Sequence, residues 1–136
     1  MIRAGIYGAT GYTGLELVNI LQRHPAAEIV FVTSQTQAGK SLRDVFPGAP
    51  ALPLVAGEEA SLDGVDVVFL CLPHAAAAET ALVALAAGSR VIDLSADFRL
   101  RDVATYEQWY AHTHPVPELL AEAVYGLTEV ARAELP

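Results

Sequence analysis

The segment GATGYTG at positions 8–14 constrains the fold of this chain more than any other feature. It follows a short apolar run, Ile2 to Tyr7, and precedes a run with helical spacing of its apolar residues, Leu15 to Leu21. A strand, a glycine turn and a helix in direct succession are typical of dinucleotide sites, because glycine permits the turn and lets a pyrophosphate approach the free helix amides. A tight turn without a ligand is the alternative, and the flanking strand and helix argue against it. The predicted cofactor contacts in this segment are Gly8, Thr10, Gly11, Tyr12, Thr13 and Gly14.

The length and composition indicate one α/β domain over residues 1–136. The chain is 53% hydrophobic but only 7% aromatic, which suits helices packed closely on a sheet. A formal net charge of -8 argues against a nucleic-acid partner, since phosphate backbones recruit clustered Lys and Arg. No apolar run approaches the roughly 20 residues of a membrane-spanning helix, and the amino end lacks a leader pattern. We therefore expect no membrane association and a cytoplasmic location.

Beyond the glycine segment, the chain alternates between helical and strand patterns. A loop-rich excursion over 34–64 and a helix end marked by Gly88 punctuate this alternation. The patterns predict strands at 28–33, 65–72, 91–94 and 123–125, helices at 13–23 and 75–87, a partly helical segment at 104–111, and a helix capped by Thr128 that includes Val130 and Leu135. This order predicts a doubly wound, Rossmann-type sheet, mostly parallel, with helices on both faces.

Cys71 is the single cysteine, so an internal disulfide is impossible. A lone cysteine suggests a nucleophile. Its neighbours Val67 to Leu72 are continuously apolar, however, and a thiol in such a run behaves as a small hydrophobic group with a raised pKa. We therefore interpret Cys71 as a core residue.

The end of the second strand predicts the type of dinucleotide. In this class of fold an Asp or Glu at that point accepts hydrogen bonds from a free ribose 2′-hydroxyl. Here the sequence is TSQT at 33–36, without a carboxylate, and Lys40 lies close by. Ser34 and Gln35 can donate to a 2′-phosphate, which favours NADP over NAD. The alternative is that these polar residues merely begin a loop.

The third strand end carries the segment Leu72-Pro73-His74. Ligands of open α/β sheets bind at the carboxyl ends of the strands, so Leu72 and Pro73 are predicted to contact the cofactor. His74 is a candidate substrate contact. It precedes a helix, so capping or another local hydrogen bond is an equal alternative.

The fourth strand end begins the polar segment DLSADFRLR at 93–101. Ser95 is predicted to contact the cofactor. Arg99 can grip a phosphate or carboxylate in a forked geometry, with Asp97 pairing to it or orienting it. A surface ion pair between the two is the alternative.

A metal site is not predicted. His112, His114 and Glu118 lie close together in sequence, but His-Thr-His in a proline-rich loop without cysteines is poor zinc spacing.

The order of several motifs resembles the N-acetyl-gamma-glutamyl-phosphate reductases of arginine biosynthesis, in the semialdehyde dehydrogenase superfamily. The resemblance covers the full chain, and the segment SADFR is its most specific part. The motifs are GATGYTG from Gly8, TSQTQAGK ending at Lys40, VFP from Val45, LPH from Leu72, DLSADFRL from Asp93 and AVYGL from Ala123.

The resemblance implies an NADPH-dependent reduction of an acyl phosphate to an aldehyde through a cysteine thioester. In that family the nucleophile lies in an NPGCYP-type segment and the general base in a later domain. No such segment occurs here, so Cys71 is not assigned the role. The family's phosphate-holding arginine corresponds to Arg99.

Residues 1–136 are accordingly expected to form the amino-terminal cofactor domain of a longer, homo-oligomeric enzyme, without its carboxyl-terminal catalytic domain. Such a chain should bind NADPH weakly and catalyse nothing alone. Two alternatives stay open. One is a related reductase of an aspartyl or carrier-linked aminoadipyl phosphate, and the other is a non-catalytic nucleotide-sensing module.

Overall fold

A computed structural model describes residues 1–135 of the chain. Five strands form one sheet in which every pairing is parallel. The strands are β1 (Ile2–Tyr7), β2 (Ala27–Thr33), β3 (Leu54–Val55), β4 (Val67–Leu70) and β5 (Arg90–Asp93). The helices are α1 (Tyr12–Leu21), α2 (Leu42–Val45), α3 (Ala76–Ala86), α4 (Val103–Tyr110) and α5 (Thr128–Ala131), with short 3-10 helices at Gly57–Glu59, Pro117–Ala121 and Arg132–Glu134.

The strand order is β3-β2-β1-β4-β5, so the predicted doubly wound arrangement is confirmed. The chain moves outward from β1 through β2 to β3, then crosses back to place β4 on the other side of β1. Ala4–Tyr7 of β1 pairs in register with Val67–Leu70 of β4. The carboxyl ends of β1 and β4 therefore flank the point where the strand order reverses, which is where ligands of such sheets bind.

Helices cover both faces of the sheet, as the sequence predicts. On one face α1 packs through Val18 onto a core that includes Ile6 and Val32. On the other face the alanine stripe of α3 lies against Val68 and Leu70. The small side chains of Ala77, Ala81 and Ala84 bring α3 close to β4. No helix in the described part of the chain is long and apolar enough to cross a membrane.

The end of α3 confirms the predicted glycine cap. Gly88 has φ +87°, its amide donates to the Leu85 carbonyl, and the Ser89 amide donates to the Ala84 carbonyl. These two bonds form a Schellman motif, in which only glycine takes the left-handed position without strain.

The predictions for the carboxyl-terminal third are partly wrong. Residues 123–125 are not a strand, because the Ala123 amide bonds locally to the Leu119 carbonyl and the Tyr125 carbonyl accepts from Leu127. Thr128 is not an amino cap. The extended backbone of Leu127 precedes the helix, so Thr128 is the first helical residue, and α5 ends before Leu135.

Candidate functional site

The glycine segment forms a tight strand-to-helix turn, here named the first turn (Gly8–Gly14). Gly8 has φ +83°, a backbone conformation that side chains disfavour. A Cβ added to Gly14 would lie 2.7 Å from the Ala9 Cα and would also strike the Gly8 carbonyl. Glycine at position 14 therefore allows α1 to approach the end of β1 closely.

The amino end of α1 is open to an anion. Gly11 is its N-cap, no side chain caps the helix, and no acidic residue lies in its first turn. The amides of Tyr12, Thr13 and Gly14 have no carbonyl partner within an α-helix at those positions. A Cβ on Gly11 would meet the Gly8 oxygen only at 3.7 Å, so the space above it is free. This combination of free amides, positive helix end and open space fits a pyrophosphate.

The first turn is fastened to the end of β2. The Gly8 amide donates to the Thr33 hydroxyl at 3.1 Å, and the Ala9 amide donates to the Thr33 carbonyl at 2.9 Å. The hydroxyls of Thr10 and Ser34 are 2.8 Å apart. Ser34 is only 2% exposed and its hydroxyl also accepts from the Gln37 amide. This burial argues against the predicted direct contact between Ser34 and the cofactor and assigns Ser34 to the support of the turn.

Gln35 and Lys40 lie on the exposed side of the same region. The Lys40 ammonium donates to the Gln37 side-chain carbonyl at 2.8 Å, which holds it over the loop after β2. Both side chains are accessible donors near the predicted 2′-phosphate position.

The segment after β4, here named the second turn (Leu72–Ala75), leads into α3. Ala75 is the N-cap and has φ +71° and ψ -45°, a strained conformation for a residue with a Cβ. Leu72 is half-buried against the α3 side of the core, whereas Pro73 and His74 are exposed. The His74 ring lies 6.2 Å from the Tyr110 ring, centroid to centroid.

Asp97, not His74, caps α3. The Asp97 carboxylate is fully buried and accepts from the Ala75 amide at 2.8 Å and from the Ala78 amide at 2.9 Å. It also accepts from the Tyr106 hydroxyl at 2.9 Å. The capping alternative for His74 is therefore wrong, and the predicted pairing of Asp97 with Arg99 is wrong as well, because three other donors satisfy the carboxylate.

Arg99 lies at the exposed edge of the same segment. Its Nε donates to the Ser95 carbonyl at 2.8 Å and its Nη2 to the Leu94 carbonyl at 3.2 Å. These bonds fix the orientation of the guanidinium group against the loop after β5. The remaining guanidinium N–H groups keep their capacity to bind an anion.

Ser95 links Asp93 to Asp97. Its hydroxyl donates to the Asp93 carboxylate at 2.8 Å and accepts from the Asp97 amide at 3.1 Å. Ser95 is 8% exposed, so the predicted direct contact of its hydroxyl with the cofactor is disfavoured. Burial raises the pKa of Asp93, and the hydrogen bonds from Ser95 partly oppose that rise.

Cys71 follows β4 and is half-buried against the α1 side of the core. Burial, assisted by the negative charge of Asp93, raises the pKa of its thiol to about 11. The thiolate is the reactive form, so this environment disfavours nucleophilic chemistry and agrees with the core interpretation.

The aromatic residues around Asp97 were not foreseen as part of the site. His114 is buried, with its Nε2 2.8 Å from the Asp97 carbonyl and its Nδ1 accepting from the Val116 amide. Both ring nitrogens are thus occupied within the protein. Tyr106 packs on His114 at 4.7 Å and on Tyr110 at 5.0 Å, centroid to centroid. The aromatic composition of 104–111 was the sequence signal, but nothing in it points to Asp97.

Comparison with known proteins agrees with this geometry. Residues 3–136 match the family model described as semialdehyde dehydrogenase, NAD binding domain. An N-acetyl-gamma-glutamyl-phosphate reductase from Symbiobacterium thermophilum is 52% identical over 98% of this chain and 39% of its own length. One from Dehalococcoides mccartyi is 51% identical over 98% of this chain and 39% of its own length. The chain thus spans about two fifths of the length of these curated relatives.

Solved structures of known proteins share this fold. A crystal structure of aspartate semialdehyde dehydrogenase with NADP from Candida albicans superposes with a TM-score of 0.64 at 25% identity. The match covers 73% of this chain and 31% of that protein. The family match spans nearly the whole chain, and the sheet order and open glycine turn are those a dinucleotide requires. The chain therefore belongs to the family of semialdehyde dehydrogenase NAD-binding domains.

Proposed function

We propose that this chain is the NADPH-binding domain of a reductase that converts N-acetyl-gamma-glutamyl phosphate to N-acetylglutamate semialdehyde. The observation that carries the cofactor assignment is the open amino end of α1, whose glycine N-cap leaves free space above unpartnered amides. The assignment of the substrate is supported by sequence identity: about half of the aligned positions are identical to those of N-acetyl-gamma-glutamyl-phosphate reductases.

The first turn would hold the pyrophosphate through the amides of Tyr12, Thr13 and Gly14. When bound, NADPH supplies the hydride for the reduction. Tyr12 is 95% exposed, which leaves its ring free to lie over the phosphates. The second turn lies at the adjoining strand end, across the crevice between β1 and β4, where Leu72 and Pro73 would border the nicotinamide.

Preference for NADPH over NADH is proposed from charge. No carboxylate lies among residues 33–36, and Gln35 within this segment and Lys40 after it are exposed. A 2′-phosphate carries negative charge and needs donors, which these two side chains provide.

The reacting thiol is proposed to belong to the part of the reductase beyond this chain. The raised pKa of Cys71 supports this assignment. Arg99 is proposed to hold the substrate phosphate with its free guanidinium N–H groups, and His74, exposed on the second turn, to border the substrate. The full enzyme is proposed to be a homo-oligomer located in the cytoplasm.

Two measurements test this function. Calorimetric titration of the 136-residue chain should give NADPH at least about tenfold tighter binding than NADH, equivalent to ~1.4 kcal/mol. Lys40→Ala should reduce that preference, while Arg43→Ala, the same change at an exposed basic residue of α2, should not. Equal affinity for the two cofactors would remove the argument from Gln35 and Lys40.

The second measurement concerns the substrate. The full-length protein should reduce NADP when given N-acetylglutamate semialdehyde and phosphate, while the isolated chain should not. Turnover with aspartate semialdehyde instead would identify a related reductase. Turnover with neither, together with retained nucleotide binding, would indicate a sensing module.

A further inference from the structure

Asp97 stabilises a strained turn at the cofactor crevice. It comes from the segment after β5, yet its two carboxylate oxygens accept from the amides of Ala75 and Ala78 at the start of α3. These are the N-cap and N3 positions of the helix. In a capping box, local side chains satisfy these two amides. Here the single carboxylate of Asp97, distant in sequence, takes the place of both side chains.

The strain at Ala75 shows why such a support is needed. Its φ of +71° is unfavourable for alanine, and residues hold such conformations when the surrounding structure over-determines them. Asp97 supplies that constraint from a fully buried position. Its negative charge also lies at the positive end of α3, where a carboxylate is stabilised.

A second layer holds Asp97 itself. The Tyr106 hydroxyl donates to the same oxygen that accepts from Ala75, and His114 bonds the Asp97 carbonyl. Tyr106 is fully buried between the rings of His114 and Tyr110. The α4 helix and the loop that follows it are thereby connected to the second turn through Asp97.

We propose that Asp97 is a positioning residue for the nicotinamide half of the cofactor site, holding the second turn in place with Tyr106 as its support. The inference rests on the proposed function. It predicts that the two halves of the dinucleotide respond differently to changes at Asp97, because the first turn is built by other residues. Bonds to Thr33 hold the first turn, and Asp97 takes no part in them.

The experiment compares NADPH with 2′,5′-ADP, which carries the 2′-phosphate and the adenosine 5′-phosphate but no nicotinamide. Asp97→Asn replaces one acceptor oxygen by an amide that cannot accept. We expect its dissociation constant for NADPH to rise about tenfold, while that for 2′,5′-ADP changes less than twofold. A merely structural role would weaken both ligands equally, because loss of folded protein affects both.

Tyr106→Phe provides a milder variant if Asp97→Asn does not fold. It removes one donor to Asp97 and keeps the packed ring, so NADPH affinity should fall about threefold and 2′,5′-ADP affinity should stay. Tyr110→Phe is the matched control, since it deletes a hydroxyl from the neighbouring ring on the same helix. Exchange of the Ala75 and Ala78 amides, followed by NMR, should accelerate in Asp97→Asn and Tyr106→Phe alone.

The outcomes separate the two proposals. Wild-type chain that binds neither ligand would overturn the proposed function and this inference with it. Wild-type binding of both ligands, with equal losses for the two in Asp97→Asn and Tyr106→Phe, or with no loss for either ligand, would overturn the inference alone.

Discussion

The first turn and the second turn each accommodate a residue with positive φ, but by different means. Each connects the end of a parallel strand to a helix at the crevice between β1 and β4, and each contains a residue with positive φ, Gly8 in one and Ala75 in the other. The first turn uses glycine where the backbone requires it. The second uses alanine, and a buried carboxylate from a distant segment, Asp97, holds the conformation. A strand-to-helix turn with a positive-φ residue can therefore be specified by its own residues or by tertiary contacts.

The first turn touches Cys71, the residue directly before the second turn, where β1 and β4 end. The Cys71 amide donates to the Tyr7 carbonyl at 2.9 Å, and a Cβ on Gly8 would strike the Cys71 carbonyl. A Cβ at Gly8 or Gly14 would clash with backbone atoms, so we expect substitutions at these two positions to cost more stability than substitutions in the second turn.

Gly14→Ala should have the largest effect. The added Cβ would lie 2.7 Å from the Ala9 Cα, and backbone atoms cannot move aside as a flexible side chain can. We expect a loss of about 3 kcal/mol in the free energy of unfolding. Urea denaturation measures it, and a loss below about 1 kcal/mol would contradict the close packing of α1 on β1.

The reactivity of Cys71 tests how far its thiol is buried where β1 and β4 end. With a thiol pKa of about 11, labelling by iodoacetamide near neutral pH should be about 100-fold slower than that of free cysteine. The rate should rise about tenfold per pH unit until the pH reaches that pKa. A plateau near pH 9 would show that the thiol is not desolvated at this junction.

Ala75→Gly should stabilise the protein, in contrast to any replacement of Gly8. Glycine relieves the cost of positive φ but loses more chain entropy, so we expect a net gain of about 0.5–1 kcal/mol. Ala76→Gly, one residue later and inside α3, should instead lose about 0.5 kcal/mol. Equal effects of the two changes in thermal unfolding would contradict the strained backbone at Ala75.

The smallest expected effect is on the stability of the protein at low pH. Asp102 caps α4, which carries Tyr106, and hydrogen bonds from the Thr105 hydroxyl and amide lower its pKa. Its contribution to stability is therefore present above the ordinary titration range of aspartate and is lost as pH falls through the lowered pKa. Asp102→Asn, which caps without titrating, should show a smaller loss of melting temperature between pH 7 and pH 3. An identical loss in both proteins would show that Asp102 does not contribute.

The contrast between the turns also explains what could be predicted from the sequence. The first turn is local, so the glycines and their flanking patterns indicated the strand, the turn and the helix together. The helical pattern of 75–87 predicted α3 and Gly88 predicted its end for the same reason. The bonds from Asp97 to Ala75 and from His114 to Asp97 join residues 22 and 17 positions apart. No local pattern marks such contacts.

The same limit applies to Ser34 and Ser95. Both were correctly placed at strand ends, but their burial follows from neighbours that the fold brings together, Thr10 in one case and Asp93 in the other. The sequence around a serine at a strand end does not show whether its hydroxyl contacts a ligand or stabilises a turn.

Titration of NADPH into the wild-type chain and into Gly11→Asp tests the central claim most directly. The structure has room for a side chain at Gly11, so this variant should keep its melting temperature while its negative charge occupies the pyrophosphate position. We predict at least a 100-fold loss of affinity, equivalent to ~2.7 kcal/mol. Ala26→Asp places the same charge at an exposed residue directly before β2, at the amino ends of the strands. This variant should bind NADPH as wild type does. Retained affinity in a folded Gly11→Asp protein would contradict a pyrophosphate site at the first turn.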